Sequence, residues 1–272
     1  MRLTSIASGS SGNCIYVGSD ATHLLVDVGI SGKRVEAGVN DLGLLMSDID
    51  GILITHEHSD HIAGLGVIAR RYGIPIFTTP GTKAAILDPR SKVGEIDPDL
   101  ICEIYPDERL TIKDIVVNPM RVSHDAKEPV AYRFKEGHTK LAVVTDLGNY
   151  NDYTVECLKD MNALFLEANH DVNMLQVGPY PYYLKQRILS DHGHLSNELA
   201  GNLLYRLIND KMQAVFLGHL SKENNLPELA YESVRCEVTM KQSMDDYHGI
   251  GINDIPMYVA KRDAMSQIVS IA

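Results

Sequence analysis

The stretch "THEHSDHIAGL", residues 55–65, sets three histidines (His56, His58, His61), Glu57 and Asp60 within seven consecutive positions. It follows "IDGILITH", an apolar run that reads as a buried strand delivering His56 at its C-terminal end. It precedes "HIAGLGVIARRYG", whose apolar residues recur at helical spacing up to Gly73. Side chains alternate along an extended segment, so His56, His58 and Asp60 are expected on one side and Glu57 on the other. His61 falls where the helix begins. Two imidazoles on one side, then a carboxylate and a third imidazole at a bend, can serve two adjacent ions. Imidazole suits zinc, iron and nickel, and carboxylate also suits manganese.

The same placement recurs along the chain. "VVNPMRVSHD" runs to His124, "KLAVVTDLG" to Asp146 and "QAVFLGHLS" to His219, each a metal-ligating side chain after an apolar strand. One such residue alone reads as a loop residue satisfied by its neighbours. Three of them, together with residues 56–61, read as one centre.

The rest of the sequence supplies a frame for that centre. "LTSIAS", "CIYVGS", "HLLVDVG", "IPIFTT", "ICEIY", "DIVVNPMRVSH", "PVAYRFKEG", "TKLAVVTDLG", "NALFLEANH" and "IPMYVA" read as strands, with a hairpin turn at "KEGHTK". "GKRVEAGVNDLG", "NDYTVECLKDM", "SNELAGNLLYRLIND", opened by Ser196 as N-cap, and "NNLPELAYESVRCEVTM" read as helices. Two groups of strands, each followed by helices, predict an α/β (α+β) fold with two sheets face to face and helices outside. All 272 residues are expected to form one domain.

Composition narrows the function. The 36 acidic against 25 basic residues give a net charge of -11, which argues against a surface broadly built to coat nucleic acid. Bound divalent cations would offset part of that charge at a local site. The four cysteines (Cys14, Cys102, Cys157, Cys236) form no CxxC pair, so free thiols in a reducing compartment are expected. No apolar run has the length of a signal peptide or membrane span, and a cytoplasmic protein with no membrane partner follows as the expectation.

The pattern H-x-H-x-D-H (His56, His58, Asp60, His61), followed by an isolated His, an Asp and a last His (His124, Asp146, His219), resembles the metallo-β-lactamase fold superfamily. That resemblance implies a four-layer αββα sandwich. It implies one ion held by His56, His58 and His124, a second held by Asp60, His61 and His219, and Asp146 bridging both; Glu57 is not carried over. The cofactors are then two divalent ions, with zinc, manganese and iron all compatible. "LTSIASGSSGNCIYVGS", "LEANHD" and "DHGHLSNELAG" resemble the YycJ/WalJ branch, related to ribonuclease Z-type phosphodiesterases. The branch implies DNA exonuclease activity, so a nucleic-acid partner with DNA favoured over RNA. "GHLSNELAG" resembles the Gly-His-Ser/Thr segment of ribonuclease Z, which carries over to His194 as a residue beside the scissile phosphate.

A mechanism follows from this set. Two cations about 3.5–4 Å apart can clamp the attacking and leaving oxygens of a phosphoryl displacement and yield a metal-bridging hydroxide as nucleophile. Asp60 is expected to orient it, and His194 to stabilise the phosphate or protonate the leaving oxygen. Glu167 of "LEANHD" is a candidate to orient a site histidine. "SGSSGN" reads as a tight turn whose Ser10, Ser11 or Asn13 could contact phosphate. His170 could reach metals or substrate, and His192 reads as a surface or supporting residue. "GPYPYYLKQRIL" places Tyr180, Tyr182 and Tyr183 beside Lys185 and Arg187, which suits either base stacking or packing under a loop. Two other functions fit the same ligands: a thiolester or lactone hydrolase of glyoxalase II type, and a catalytically silent regulatory protein stabilised by metal.

Overall fold

The computed structural model describes residues 1–245 and 247–272. Strands β1 (Arg2–Ala7), β2 (Cys14–Gly18), β3 (His23–Val26), β4 (Gly51–Leu53), β5 (Ile76–Thr78) and β6 (Ile101–Glu103) lie side by side in one sheet. A second sheet holds β7 (Leu110–Ile112), β8 (Ile115–Arg121), β9 (Val130–Glu136), β10 (Thr139–Val144), β11 (Ala163–Glu167), β12 (Ala214–Gly218) and β13 (Met257–Val259). A last strand, β14 (Val269–Ser270), returns to pair with β1 at the edge of the first sheet.

Each sheet is antiparallel over its early strands and parallel over its later ones. β1, β2 and β3 are antiparallel, and β3 to β6 are parallel. β7 to β10 are antiparallel, and β10 to β13 are parallel. Parallel neighbours need crossover connections, usually helical, and those helices cover the sheet. In the first sheet α1 (Gly32–Asp41), α2 (Ser59–Ile62), α3 (Leu65–Tyr72) and α4 (Pro80–Ile86) lie along the chain between β3 and β6. In the second, α5 (Asp152–Leu158), α6 (Val172–Val177), α7 (Tyr182–Leu189), α8 (Asn197–Leu207) and α9 (Pro227–Met244) lie between β10 and β13.

Alternation along the strands feeds three separate cores. Ile15, Val17, Leu24 and Val26 face inward to meet Leu141, Val143, Phe165 and Phe216 between the sheets. Tyr16 and Leu25 face outward onto Val35, Val39, Leu65 and Ile68 of the first helical layer. Ala142, Val144, Leu164, Leu166, Val215 and Leu217 face Leu203, Leu204, Val234 and Val238 of the second. The αββα layering expected from the sequence is therefore present. Phe165 and Phe216 stack with ring centroids 6.0 Å apart in the middle layer. Burying each of them is worth about 1.5–3 kcal/mol.

Two readings change. The extended segment that carries His56 and His58 stops there, and Asp60 and His61 sit in α2, a single helical turn. "PYYLKQRIL", read only as a tyrosine cluster, contains α7, a helix with no buried residue.

Candidate metal centre

The parallel strands of both sheets bring their C-terminal ends to one edge of the sandwich, where side chains are free to converge. Asp27 follows β3, His56 follows β4, Asp146 follows β10, Glu167 ends β11 and His219 follows β12; His124 lies three residues beyond β8. Asp27, Asp146 and His219 adopt left-handed backbone conformations with φ of 60°, 56° and 57°. Such conformations cost a non-glycine residue roughly 1–3 kcal/mol and concentrate at functional sites.

The side chains form two overlapping groups. Ligand atoms of His56, His58 and His124 converge, as do those of Asp60, His61 and His219, and His56, His61 and Asp146 connect the two. His124 Nε2 lies 3.2 Å from His58 Nδ1. Asp60 Oδ2 is 3.4 Å from both His61 Nε2 and His219 Nε2. Asp146 faces both groups, with Oδ2 3.2 Å from His61 Nε2 and Oδ1 3.6 Å from His124 Nε2. Glu57 turns away and accepts a hydrogen bond from the Lys127 amide.

A supporting layer fixes which nitrogen faces inward. His61 Nδ1 donates to Asp27 Oδ2 at 2.7 Å, His124 Nδ1 to the Gly193 carbonyl at 3.0 Å, and His219 Nδ1 to Glu167 Oε1 at 2.8 Å. In each case Nε2 is left facing the centre, where it can ligate a cation once unprotonated. Glu167 also accepts from His194 Nδ1 at 2.9 Å and from the backbone of Leu147 and Leu195. Its oxygens thus accept four hydrogen bonds, which hold the His194 and His219 rings in place. Asp27 was not singled out in the sequence. Its signal, an acid at the end of the apolar strand "HLLVDVG", is the same one that marks Asp146.

Charge in the centre is divided unevenly. Burial opposes a proton on His61 and His219, but Asp146, Asp27, Asp60 and Glu167 around them outweigh it. His61 is held well above the usual histidine range and His219 is pushed up to about 10. Burial together with neighbouring imidazoles pushes His56 and His124 down. Burial alone would raise Asp60, yet His61 and His219 keep it ionised.

The donor set fits a divalent cation. His56 Nε2 is buried and has no hydrogen-bond partner among the described residues. An unsatisfied buried polar atom costs about 1–3 kcal/mol. Imidazoles and carboxylates aimed at a common centre are what a divalent ion satisfies.

A pocket of about 380 Å³ opens over the centre, lined by Ser10, Asp60, Tyr180, Arg187, His194 and His219 among others. Arg187 is paired with Asp125 on its rim. Tyr182 and Tyr183 project into solvent, 76% and 75% exposed.

Two expectations for substrate contacts are revised, and His170 lies outside the two ligand groups. Asn13 is fully buried: its Oδ1 accepts from Gly9, and its backbone amide donates to the Asp60 carbonyl at 2.8 Å. The turn "SGSSGN" therefore clamps α2 through Asn13, because the amide is long enough to span the turn. Ser11 is exposed outside the pocket lining, which leaves Ser10 as the serine facing it. His170 is buried and lines a separate cavity that shares His194 with the first. His192 is exposed and pairs with Ser123, a supporting position.

The chain matches the family described as "Beta-lactamase superfamily domain" over residues 23–218. It is 44% identical to the exodeoxyribonuclease YycJ of Bacillus anthracis over 86% of this chain and 88% of that protein. It is 37% identical to the exodeoxyribonuclease WalJ of Streptococcus pneumoniae over 99% of this chain and 98% of that one. The crystal structure of the metallo-β-lactamase fold protein YhfI from Bacillus subtilis superposes with a TM-score of 0.69 at 16% identity, covering 98% of this chain and 99% of that one, a likeness of fold. A metallo-β-lactamase fold, an intact H-x-H-x-D-H centre and relatives aligned over nearly their whole length place this chain in the β-lactamase superfamily, within its YycJ/WalJ branch.

Proposed function

We propose that the protein is a metal-dependent nuclease that removes nucleotides from the ends of DNA. It would hold two divalent cations, one between His56, His58 and His124 and the other between Asp60, His61 and His219, with Asp146 shared. The observation that carries this reading is the His194–Glu167 pair. Burial disfavours a proton on His194, but the adjacent Glu167 carboxylate outweighs it and raises the imidazole above its ordinary range. His194 Nδ1 donates to Glu167, and the ring lines the pocket beside both ligand groups. A protonated imidazole there can give its Nε2 proton to a leaving alkoxide, a group that departs poorly without one. A thiolate leaving group, with a pKa of about 8.5, has no such need. That asymmetry favours phosphodiester over thiolester hydrolysis, as do the names of the aligned relatives, both exodeoxyribonucleases.

Bound divalent cations supply Lewis acidity toward phosphoryl oxygens and lower the pKa of water. The chain's own residues do the rest. Asp60, kept ionised by His61 and His219, accepts a hydrogen bond from the attacking water and so orients it. Arg187 and Ser10 on the pocket wall are placed to contact phosphate oxygens. Glu167 holds His194 and His219 in one tautomer each.

End-labelled single- and double-stranded DNA and RNA, incubated with zinc-, manganese- or iron-loaded protein beside an Asp60→Ala control, test this reading. Stepwise shortening of DNA that is lost in the control is the expected result. Rapid turnover of thiolesters with no cleavage of nucleic acid would overturn it.

A further inference from the structure

A second cavity of about 410 Å³ shares His194 with the pocket over the metal centre and is bounded also by His170, Ser196, Glu198, Leu189 and Leu199. Its polar groups are unusual. His170 is 1% exposed, yet neither ring nitrogen has a hydrogen-bond partner among the described residues. Glu198 Oε2 is also buried with no partner among them. Buried polar side chains are nearly always satisfied, and two unsatisfied ones on a single cavity point to a ligand. The backbone is not free to withdraw the imidazole: the His170 carbonyl accepts from the Asn197 amide at 2.9 Å, and residues 170 and 196 form a β-bridge.

The chemistry of the walls restricts what fits. Burial pushes His170 down to about 4, so the ring is neutral and offers one donor and one acceptor. Ser196 Oγ is already used as the N-cap of α8, accepting from the Leu199 amide. The Glu198 carboxylate excludes a phosphate and asks for N–H donors. Leu189 and Leu199 supply apolar walls. The matching ligand is apolar on its faces, with donors and acceptors along one edge.

We propose that this cavity is a nucleobase subsite. It takes the base of the nucleotide adjoining the scissile phosphate, held along its edge by His170 and Glu198. The phosphate lies in the metal-side pocket, and His194 lines both cavities. Each of the four bases carries at least one N–H and one acceptor along its pairing edge, so the subsite registers the presence of a base without choosing its identity. The inference rests on the nuclease reading above.

Fluorescence anisotropy tests it with metal-loaded protein and phosphorothioate single-stranded oligonucleotides, one intact and one lacking the bases of the last two nucleotides at each end. The intact strand is expected to bind about tenfold more tightly. His170→Phe, which fills the cavity and removes its polar edge, should shrink that ratio to about twofold or less, and Glu198→Gln should reduce it partway. If His170→Phe does not fold, His170→Asn carries the same comparison. Equal binding of the two strands by the unaltered protein would overturn the subsite alone, as would a ratio that survives these substitutions. Failure to bind either strand would defeat the nuclease reading, and the subsite with it.

Discussion

Asp27→Asn is the sharpest perturbation of the centre, because it changes one atom that touches no ligand-facing nitrogen. The Asp27 carboxylate accepts three hydrogen bonds: from Thr55 N at 2.9 Å, Thr55 Oγ1 at 2.8 Å and His61 Nδ1 at 2.7 Å. An amide has one oxygen to offer. If that oxygen stays on Thr55 N, the NH2 group faces His61 Nδ1, and the imidazole must carry its proton on Nε2 instead. Nε2 is the atom 3.2 Å from Asp146 and 3.4 Å from Asp60, so its lone pair is lost to a cation. If the amide turns over, its NH2 group meets the Thr55 amide N–H, donor against donor. Either way one charge-assisted hydrogen bond is lost, about 1.5–3 kcal/mol. At 1.4 kcal/mol per decade, that is roughly a 10- to 100-fold loss of affinity, in line with other partners of metal-binding histidines.

The assay is competition for metal against a chromophoric chelator, resolving the two equivalents. The ion held by Asp60, His61 and His219 should weaken by roughly 10- to 100-fold. The ion held by His56, His58 and His124 should change by about threefold or less, since His56 is linked to Asp27 only through Thr55 Oγ1, 3.0 Å from its Nδ1. Equal loss at both equivalents would mean general loosening, and no loss at either would show that Asp27 does not set the tautomer.

Metal uptake should separate by proton release: His61 and His219 are raised and must lose protons to bind, whereas His56 and His124 are lowered and need not. Affinity for the second equivalent should therefore climb with pH more steeply than for the first, which calorimetry in buffers of different ionisation enthalpy reads directly. In metal-free protein, the stability supplied by His219 is complete below its ordinary value of 6.5 and is lost as pH rises through about 10. The melting-temperature gap between the unaltered protein and His219→Gln should narrow over that window, and a gap that widened would contradict the sign. His194→Ala should lower kcat on DNA by about 10²- to 10⁴-fold but much less on a nitrophenyl phosphodiester, whose leaving group needs no proton; equal losses on both substrates would remove the proton-donor role. Gly29→Ala would put a Cβ 1.7 Å from the Asp60 carbonyl oxygen, backbone against backbone. It should displace α2 and be read as lost binding of the second ion together with a lower melting temperature.

What the sequence made legible and what it hid have a common physical cause. His56 and His58 come from an extended segment running on from a strand, and Asp60 and His61 from the helical turn after it, so local periodicity is enough to aim them. Aiming Asp27, Asp146 and His219 depends on a single left-handed residue after each strand, which swings the side chain back over the sheet edge. Asp and His adopt that conformation more often than most other residues but only as a minority, so residue type marks it weakly; their place after an apolar run made Asp146 and His219 visible. The same limit explains the substrate contacts. Whether Asn13 faces outward or braces Asp60, and whether His170 reaches the metals or a separate cavity, is decided by where separate elements pack, and spacing carries no record of it. The strain then has a direction. Each left-handed ligand or support costs roughly 1–3 kcal/mol and persists only if the surroundings over-determine it. Buried carboxylate–imidazole pairs at Asp27–His61 and Glu167–His219 do so here. An ion bound by Asp60, His61 and His219 would thus depend on one strained ligand, His219, and on both of these pairs, whereas His56, His58 and His124 have ordinary backbone conformations. It follows that substitutions in the supporting residues should weaken the former ion first.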